Sequence, residues 1–220
     1  MNFEKKKFLL SIFFPALFVG MLWLIKVSEL VLNEDFSSFG LYPLKIKGII
    51  GIFTSPLIHG NIDHLLANTI PLLVLGTSLF YFYSKVSYKV FILIYIITGI
   101  WVWFSGRPAY HIGASGIVYG LAGFVFTSGI ILRNFRLLSI SLLVVFLYGS
   151  MVWGIFPIDP KISWESHFMG LIAGIVLAIY YRNESSFPAN DSYEENDDDN
   201  NENIDWQIKN KENKISYLNN

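Results

Sequence analysis

A serine beside glycine and a distant histidine are the residues of this chain best suited to chemistry. Ser115 stands in Gly-Ala-Ser-Gly at the start of one apolar run, and His167 stands at the start of another. A hydroxyl is a weak nucleophile until a base within hydrogen-bond reach takes its proton, and histidine is the commonest base. Glu165 is near His167 in the sequence but should point elsewhere on its helix or into the loop. We therefore predict a Ser115–His167 dyad rather than a triad with a buried acid.

Acyl transfer also needs hydrogen-bond donors for the negative oxygen that develops on the substrate carbonyl. A serine at a helix start offers unpaired backbone N–H groups, its own included, and Gly116 lets a substrate carbonyl approach closely. His64 and Asn68 are four residues apart, so they share one helix face and can donate into one cavity. Tyr119, one helical turn below Ser115, is suited either to stacking on the base or to ordinary core packing. The sequence thus contains a nucleophile, a base and oxyanion donors.

Each of these residues also has a purely structural interpretation. A serine at a helix start is most often a cap, and a lone histidine in a membrane helix can serve packing or proton relay. Asn68 could simply bind two helices together by hydrogen bonding. His59 and His111 fall in loops expected to face outward, where a solvated and a functional role are equally open.

The elements that must position these residues are membrane helices. The 220 residues are 53% hydrophobic and 17% aromatic, and their mean hydropathy is +0.48, values above those of a typical soluble domain. The absence of cysteine excludes disulfides and a thiol nucleophile. Six apolar stretches are long enough to cross a bilayer as helices. They cover residues 8–26, 63–83, 88–105, 115–132, 137–154 and 166–181. The predicted fold is an all-α membrane protein with a six-transmembrane-helix bundle.

The polar positions fall at one depth in this bundle. Asn68, Ser115 and His167 lie 17, 18 and 15 residues before the basic residues that close their spans. At 1.5 Å per residue, all three lie roughly 22 to 27 Å above those charges. Glycines at helical spacing follow both members of the dyad, and such stripes let membrane helices approach closely. They are Gly116, Gly120 and Gly123 after the serine, and Gly170 and Gly174 after the histidine. If the two stripes face each other, Ser115 and His167 meet.

The loop charges predict an orientation. Lysines and arginines concentrate before the first span, in alternate loops and after the sixth span, so we expect both termini to be cytoplasmic. The apolar first loop, roughly 27–61, should lie in the outer interface. We divide the chain into a membrane domain, residues 1–182, and an acidic tail, residues 183–220, whose composition is typical of disorder. The composition fits a bacterial inner membrane.

Three motifs together resemble the rhomboid family of intramembrane serine proteases. They are HGNIDHLLANT (His59, His64, Asn68), GASGIVYG (Gly113, Ser115, Gly116, Tyr119) and SHFMGLIAG (His167, Gly170, Gly174). Their order and spacing, with six spans, make the resemblance specific over roughly residues 8–182. The Trp-Arg pair often found in the family's first loop is absent here, and IGIFTSPLIHG precedes the second span.

The resemblance implies a function as well as a fold. Ser115 would be the nucleophile and His167 the base, in a water-filled cavity that opens outward. His64, Asn68 and the Ser115 amide would form the oxyanion hole, and Tyr119 would pack against His167. The substrates would be single-pass membrane proteins cut in or near the lipid bilayer. We expect no cofactor, no metal and no nucleic-acid partner.

Other functions compete with this one. A metal enzyme could use the four histidines together with Asp63 and Glu165, although the chain has no His-Glu-x-x-His motif. A non-catalytic rhomboid-like protein could bind membrane clients, although this chain keeps both the serine and the histidine. A transporter would need ionisable residues in the inner half of its spans to form a path across the membrane. The polar residues predicted here all lie at one depth, so such a path is missing from the sequence.

Overall fold

The computed structural model describes residues 3–147 and 153–185, which form helices and no strands. Residues 186–220 of the predicted acidic tail and residues 148–152 of the fifth predicted span lie outside the described residues. We number seven α-helices: α1 Phe3–Leu32, α2 Gly51–Thr54, α3 Ile62–Phe82, α4 Ser87–Ser105, α5 Ser115–Ile131, α6 Phe135–Leu147 and α7 Trp164–Tyr180. The all-helical prediction is therefore confirmed for the described part of the chain.

Six of the seven helices coincide with the apolar stretches. Among the described residues, α1, α3 and α4 are long and apolar enough to cross a membrane, whereas α5, α6 and α7 are apolar but shorter. Helix α1 extends beyond the first predicted span, residues 8–26, at both ends, from Phe3 to Leu32. Lys26 lies in this helix and forms an ion pair with Glu29 one turn later.

Helix α5 forms the centre of the bundle. It packs against α3, α4, α6 and α7, and most of its side chains are buried. Its contact with α7 is a contact between backbones: a Cβ atom added to Gly170 would overlap the carbonyl oxygen of Gly116, and one added to Gly174 would overlap that of Gly120. The two glycine stripes therefore face each other. This packing fixes the relative position of the first turns of α5 and α7.

Helix α3 begins where the sequence provides a cap. The side chain of Asn61 accepts a hydrogen bond from the His64 N–H at 2.7 Å, which satisfies one of the free amides of the first turn. Helix α1 packs along α3, with Phe14 stacked on Phe80 at a centroid distance of 5.0 Å. The lipid-facing sides of the helices leave many large apolar side chains exposed, as expected for a bilayer environment.

The first loop folds as short helical turns that pack on the C-terminal part of α4. Ile52 in α2 packs with Leu41 and Val102, and Leu41 pairs with His111 through two backbone hydrogen bonds of 3.0 and 2.8 Å. Ile46 is 87% exposed. These contacts attach the first loop to the loop that precedes Ser115.

Candidate active site

Ser115 and His167 meet where α5 and α7 begin. The Oγ atom of Ser115 lies 2.8 Å from Nε2 of His167, a hydrogen-bond distance. Each residue is in the first turn of its helix, and the glycine contact described above brings those turns together. The structure thus brings together the two residues that the sequence analysis paired.

A backbone carbonyl orients the imidazole. Nδ1 of His167 lies 2.8 Å from the carbonyl oxygen of Gly154, and a carbonyl can only accept. Nδ1 therefore carries the proton, which leaves the lone pair of Nε2 to accept the Ser115 hydroxyl hydrogen. On the other side, the Tyr119 ring stacks on the imidazole at a centroid distance of 4.2 Å and an interplanar angle of 9°. The Gly154 carbonyl and the stacked Tyr119 ring therefore fix the tautomer and the orientation of the His167 ring.

Gly154 is a site residue that sequence reasoning missed. It acts through its carbonyl, a group that every residue has, so no side-chain signal marks it. Glu165, the nearest acid, points away from the imidazole, as expected from the sequence. Its carboxylate accepts from the Arg107 N–H at 3.3 Å and lies 3.7 Å from Arg107 Nε.

The groups predicted to bind an oxyanion lie around Ser115. As the first residue of α5, Ser115 has an N–H with no carbonyl partner within the helix. His64 lies against Gly113: a Cβ atom there would be 2.6 Å from His64 Cε1. The backbone of Gly113 has a φ of +106°, which disfavours other residues. One N–H of the Asn68 amide bonds to the His64 carbonyl at 3.0 Å, and the second remains for the cavity.

The two loop histidines are buried rather than solvated. His59 is 1% exposed, and its Nε2 accepts a hydrogen bond from the Ala114 N–H at 3.3 Å. Its ring lies edge-on to that of His64, with centroids 5.1 Å apart. Burial, with a smaller contribution from His64, lowers the pKa of His59 to about 3, so the ring is neutral and can accept.

His111 belongs to a second polar cluster, which it forms with Ser163 and Arg107. Its Nδ1 lies 2.6 Å from Ser163 Oγ and its Nε2 lies 3.1 Å from the Arg107 carbonyl. Burial lowers its pKa. The Arg107 guanidinium donates to the carbonyls of Pro160 and Ile162 at 2.8 and 2.7 Å. This cluster ties the loop before Ser115 to the loop between Gly154 and α7.

These groups surround one cavity of about 460 Å³. Its walls include the side chains of His64, Asn68, Ser115, Tyr119 and His167. Among the described residues, no three His, Cys, Asp or Glu side chains are grouped as they would be around a metal ion. The arrangement provides a hydroxyl, a neutral imidazole and several N–H groups in one pocket, which is the equipment for acyl transfer.

Comparison with known proteins finds a matching family model and relatives of this chain. The family model of the Rhomboid domain matches residues 47–184. An uncharacterized protein of Mycobacterium tuberculosis (strain ATCC 25618 / H37Rv) is 34% identical over 174 residues, which cover 73% of this chain and 71% of that protein. An uncharacterized protein of Mycobacterium leprae (strain TN) is 31% identical over 170 residues, covering 73% and 67%. The residues that the family model matches include Ser115, His167 and the side chains described around them.

Proposed function

The chain belongs to the rhomboid family, and on that premise we propose that it is a serine endopeptidase that cleaves peptide bonds in or near transmembrane segments of membrane proteins. It is an integral membrane protein, and its bacterial relatives indicate a bacterial membrane. The observation that carries the proposal is the 2.8 Å contact between Ser115 Oγ and His167 Nε2 inside a cavity that His64 and Asn68 also line.

In the proposed reaction, His167 Nε2 takes the hydroxyl proton as Ser115 Oγ attacks the scissile carbonyl carbon. The charge that develops on the carbonyl oxygen is stabilised by the Ser115 N–H, the Asn68 amide and the His64 ring. His167 then gives the proton to the leaving amine, and the acyl-enzyme is hydrolysed by a water that His167 activates.

The Gly154 carbonyl would perform the orienting task that an aspartate performs in a triad. It holds the proton on Nδ1 and favours the imidazolium that forms during the reaction, but it carries no full negative charge. Stacking of Tyr119 limits rotation of the ring. The dyad therefore depends on the position of the loop that contains Gly154.

We further propose six membrane spans, with α5, α6 and α7 completing those that α1, α3 and α4 provide. Both termini would be cytoplasmic and the cavity would open to the opposite face, from which water reaches Ser115. Substrate would enter beside α6, because the glycine contact makes α5 and α7 a rigid pair. Single-pass membrane proteins are the substrate class.

The experiment uses the purified full chain in liposomes with a labelled single-span peptide. We expect cleavage by the wild type and a loss of at least a thousandfold in Ser115→Ala and His167→Ala. Ser128→Ala is the matched control, because Ser128 is buried on the same helix but does not line the cavity. Equal cleavage by all variants would overturn the proposal, and loss of activity with a chelator would favour a metal enzyme. No cleavage of any peptide, with retained binding, would favour the client-binding alternative.

A further inference from the structure

We propose that Lys26 and Glu29, a buried ion pair at the outer end of α1, position the segment 59–64 that completes the oxyanion side of the site. This inference rests on the proposed function. Neither residue lines the cavity formed by the described residues, so they would act through the segment that they hold. They are positioning residues rather than catalytic ones.

All three N–H groups of the Lys26 ammonium have acceptors. Nζ lies 2.7 Å from Glu29 Oε2, 2.9 Å from the His59 carbonyl and 3.3 Å from the Gly60 carbonyl. Lys26 is 6% exposed and Glu29 is 7% exposed. Two adjacent backbone carbonyls bonded to one buried cation are held much more firmly than an ordinary loop.

Glu29 ties the same point to the first loop. Its second oxygen, Oε1, accepts a hydrogen bond from the Phe36 N–H at 3.1 Å. A buried ion pair contributes little net stability relative to apolar residues of similar size, because both charges lose their hydration. Its hydrogen bonds to fixed backbone groups are the part that apolar residues cannot replace. The geometry therefore favours a role in fixing position.

The held segment leads directly to Ser115. The His59 ring accepts the N–H of Ala114, the residue before the proposed nucleophile. The next residue after Gly60, Asn61, caps α3 by bonding the His64 N–H. Lys26 thus bonds His59, whose ring accepts from the backbone beside Ser115, and it also bonds Gly60, the residue directly before the Asn61 cap that sets His64.

The test replaces both charges together, because a single replacement would leave the other charge buried and alone. Lys26→Met with Glu29→Gln keeps the side-chain lengths and keeps an oxygen for the Phe36 N–H. If the segment relaxes by about 1 Å, kcat should fall about 10- to 100-fold while KM stays within about threefold. Lys26→Arg, which keeps a charged donor, should retain more activity than the double variant.

Ser11→Ala is the matched control in the same helix. Ser11 is buried and bonded to the Lys7 carbonyl, and it lies 15 residues before Lys26, roughly 22 Å along the helix. This variant should keep wild-type kcat. Thermal unfolding of all variants in detergent identifies any that fail to fold.

Amide hydrogen exchange gives a readout that does not depend on activity. We expect faster exchange of residues 59–64 and 113–115 in the double variant and unchanged exchange at the α5–α7 contact. Wild-type exchange together with wild-type kcat in a folded double variant overturns the inference. If the wild type itself cleaves nothing, the proposed function fails, and unchanged exchange in residues 59–64 would still overturn the positioning role by itself.

Discussion

Gly113 offers the sharpest test of the oxyanion side of the site. Its backbone has a φ of +106°, and its missing side chain makes room for the His64 ring. Gly113→Ala therefore changes two things at once: it strains the backbone before Ser115 and it pushes on His64. Neither change touches the dyad itself.

The expected magnitude follows from the contact distances. An alanine Cβ at position 113 would lie 2.6 Å from His64 Cε1, and ordinary contacts begin at 3.4 Å, so 0.8 Å must be gained by movement. A displacement of this order can cost about 100-fold in rate, and we expect a fall in kcat of about 10- to 100-fold. The unfavourable φ should lower the free energy of unfolding by about 1 to 3 kcal/mol.

The assay compares kcat and KM for a labelled single-span peptide in liposomes, with thermal unfolding in detergent. Gly20→Ala is the matched control. No described atom would lie within 4 Å of its Cβ, and Gly20 lies in α1 and does not line the cavity. We expect kcat within about twofold of wild type and a stability gain of up to about 1 kcal/mol, because alanine favours a helix more than glycine does.

Two results would refute this reasoning. If Gly113→Ala is destabilised but keeps wild-type kcat, then His64 does not contact the reacting carbonyl. If Gly20→Ala loses as much activity as Gly113→Ala, the loss does not depend on the His64 contact.

Two further predictions concern packing and pH. Gly170→Ala should lower the free energy of unfolding by about 1 to 3 kcal/mol and reduce cleavage, because its Cβ would overlap the Gly116 carbonyl. Gly20→Ala should not destabilise the protein, since no described atom would lie within 4 Å of its Cβ. Thermal unfolding and peptide cleavage check both variants. The pKa of His59 is about 3 in the folded chain and 6.5 ordinarily, so between these values the unfolded chain binds more protons and stability falls as the pH falls. Between pH 7.5 and pH 5, titration of His59 should lower the free energy of unfolding by about 2 kcal/mol. Unfolding of a His59→Gln variant, measured at both pH values, should lack that part of the change.

The sequence predicts the helices well because a membrane leaves the backbone few alternatives. A long apolar stretch in lipid must satisfy its own hydrogen bonds, so composition alone marks the helices that carry Ser115, His64 and His167. Polar side chains are costly there, and for that reason these residues stand out among their neighbours. The glycine stripes on α5 and α7 likewise predict which faces meet.

The remaining features depend on groups or contacts that a sequence pattern does not show. The carbonyl of Gly154 has no distinctive side chain, and only the folded loop brings it to His167. The burial of His59 depends on contacts from α1 and from the start of α5, far away in the chain. Lys26 stands in the sequence only as the end of the first predicted span, and its contacts with Glu29 and with the carbonyls of segment 59–64 appear only in the folded chain.

The site is therefore held in two different ways, and the two should fail differently. Backbone contact between α5 and α7 sets the distance between Ser115 and His167, so a variant there should disturb stability and the dyad together. The orientation of His167 and the placement of His64 depend on polar contacts at the helix ends, where few apolar groups are lost on substitution. Variants at these contacts should reduce kcat with a smaller loss of stability. A plot of kcat against unfolding free energy across the variants should consequently separate into two groups, and a single line through all of them would contradict this division.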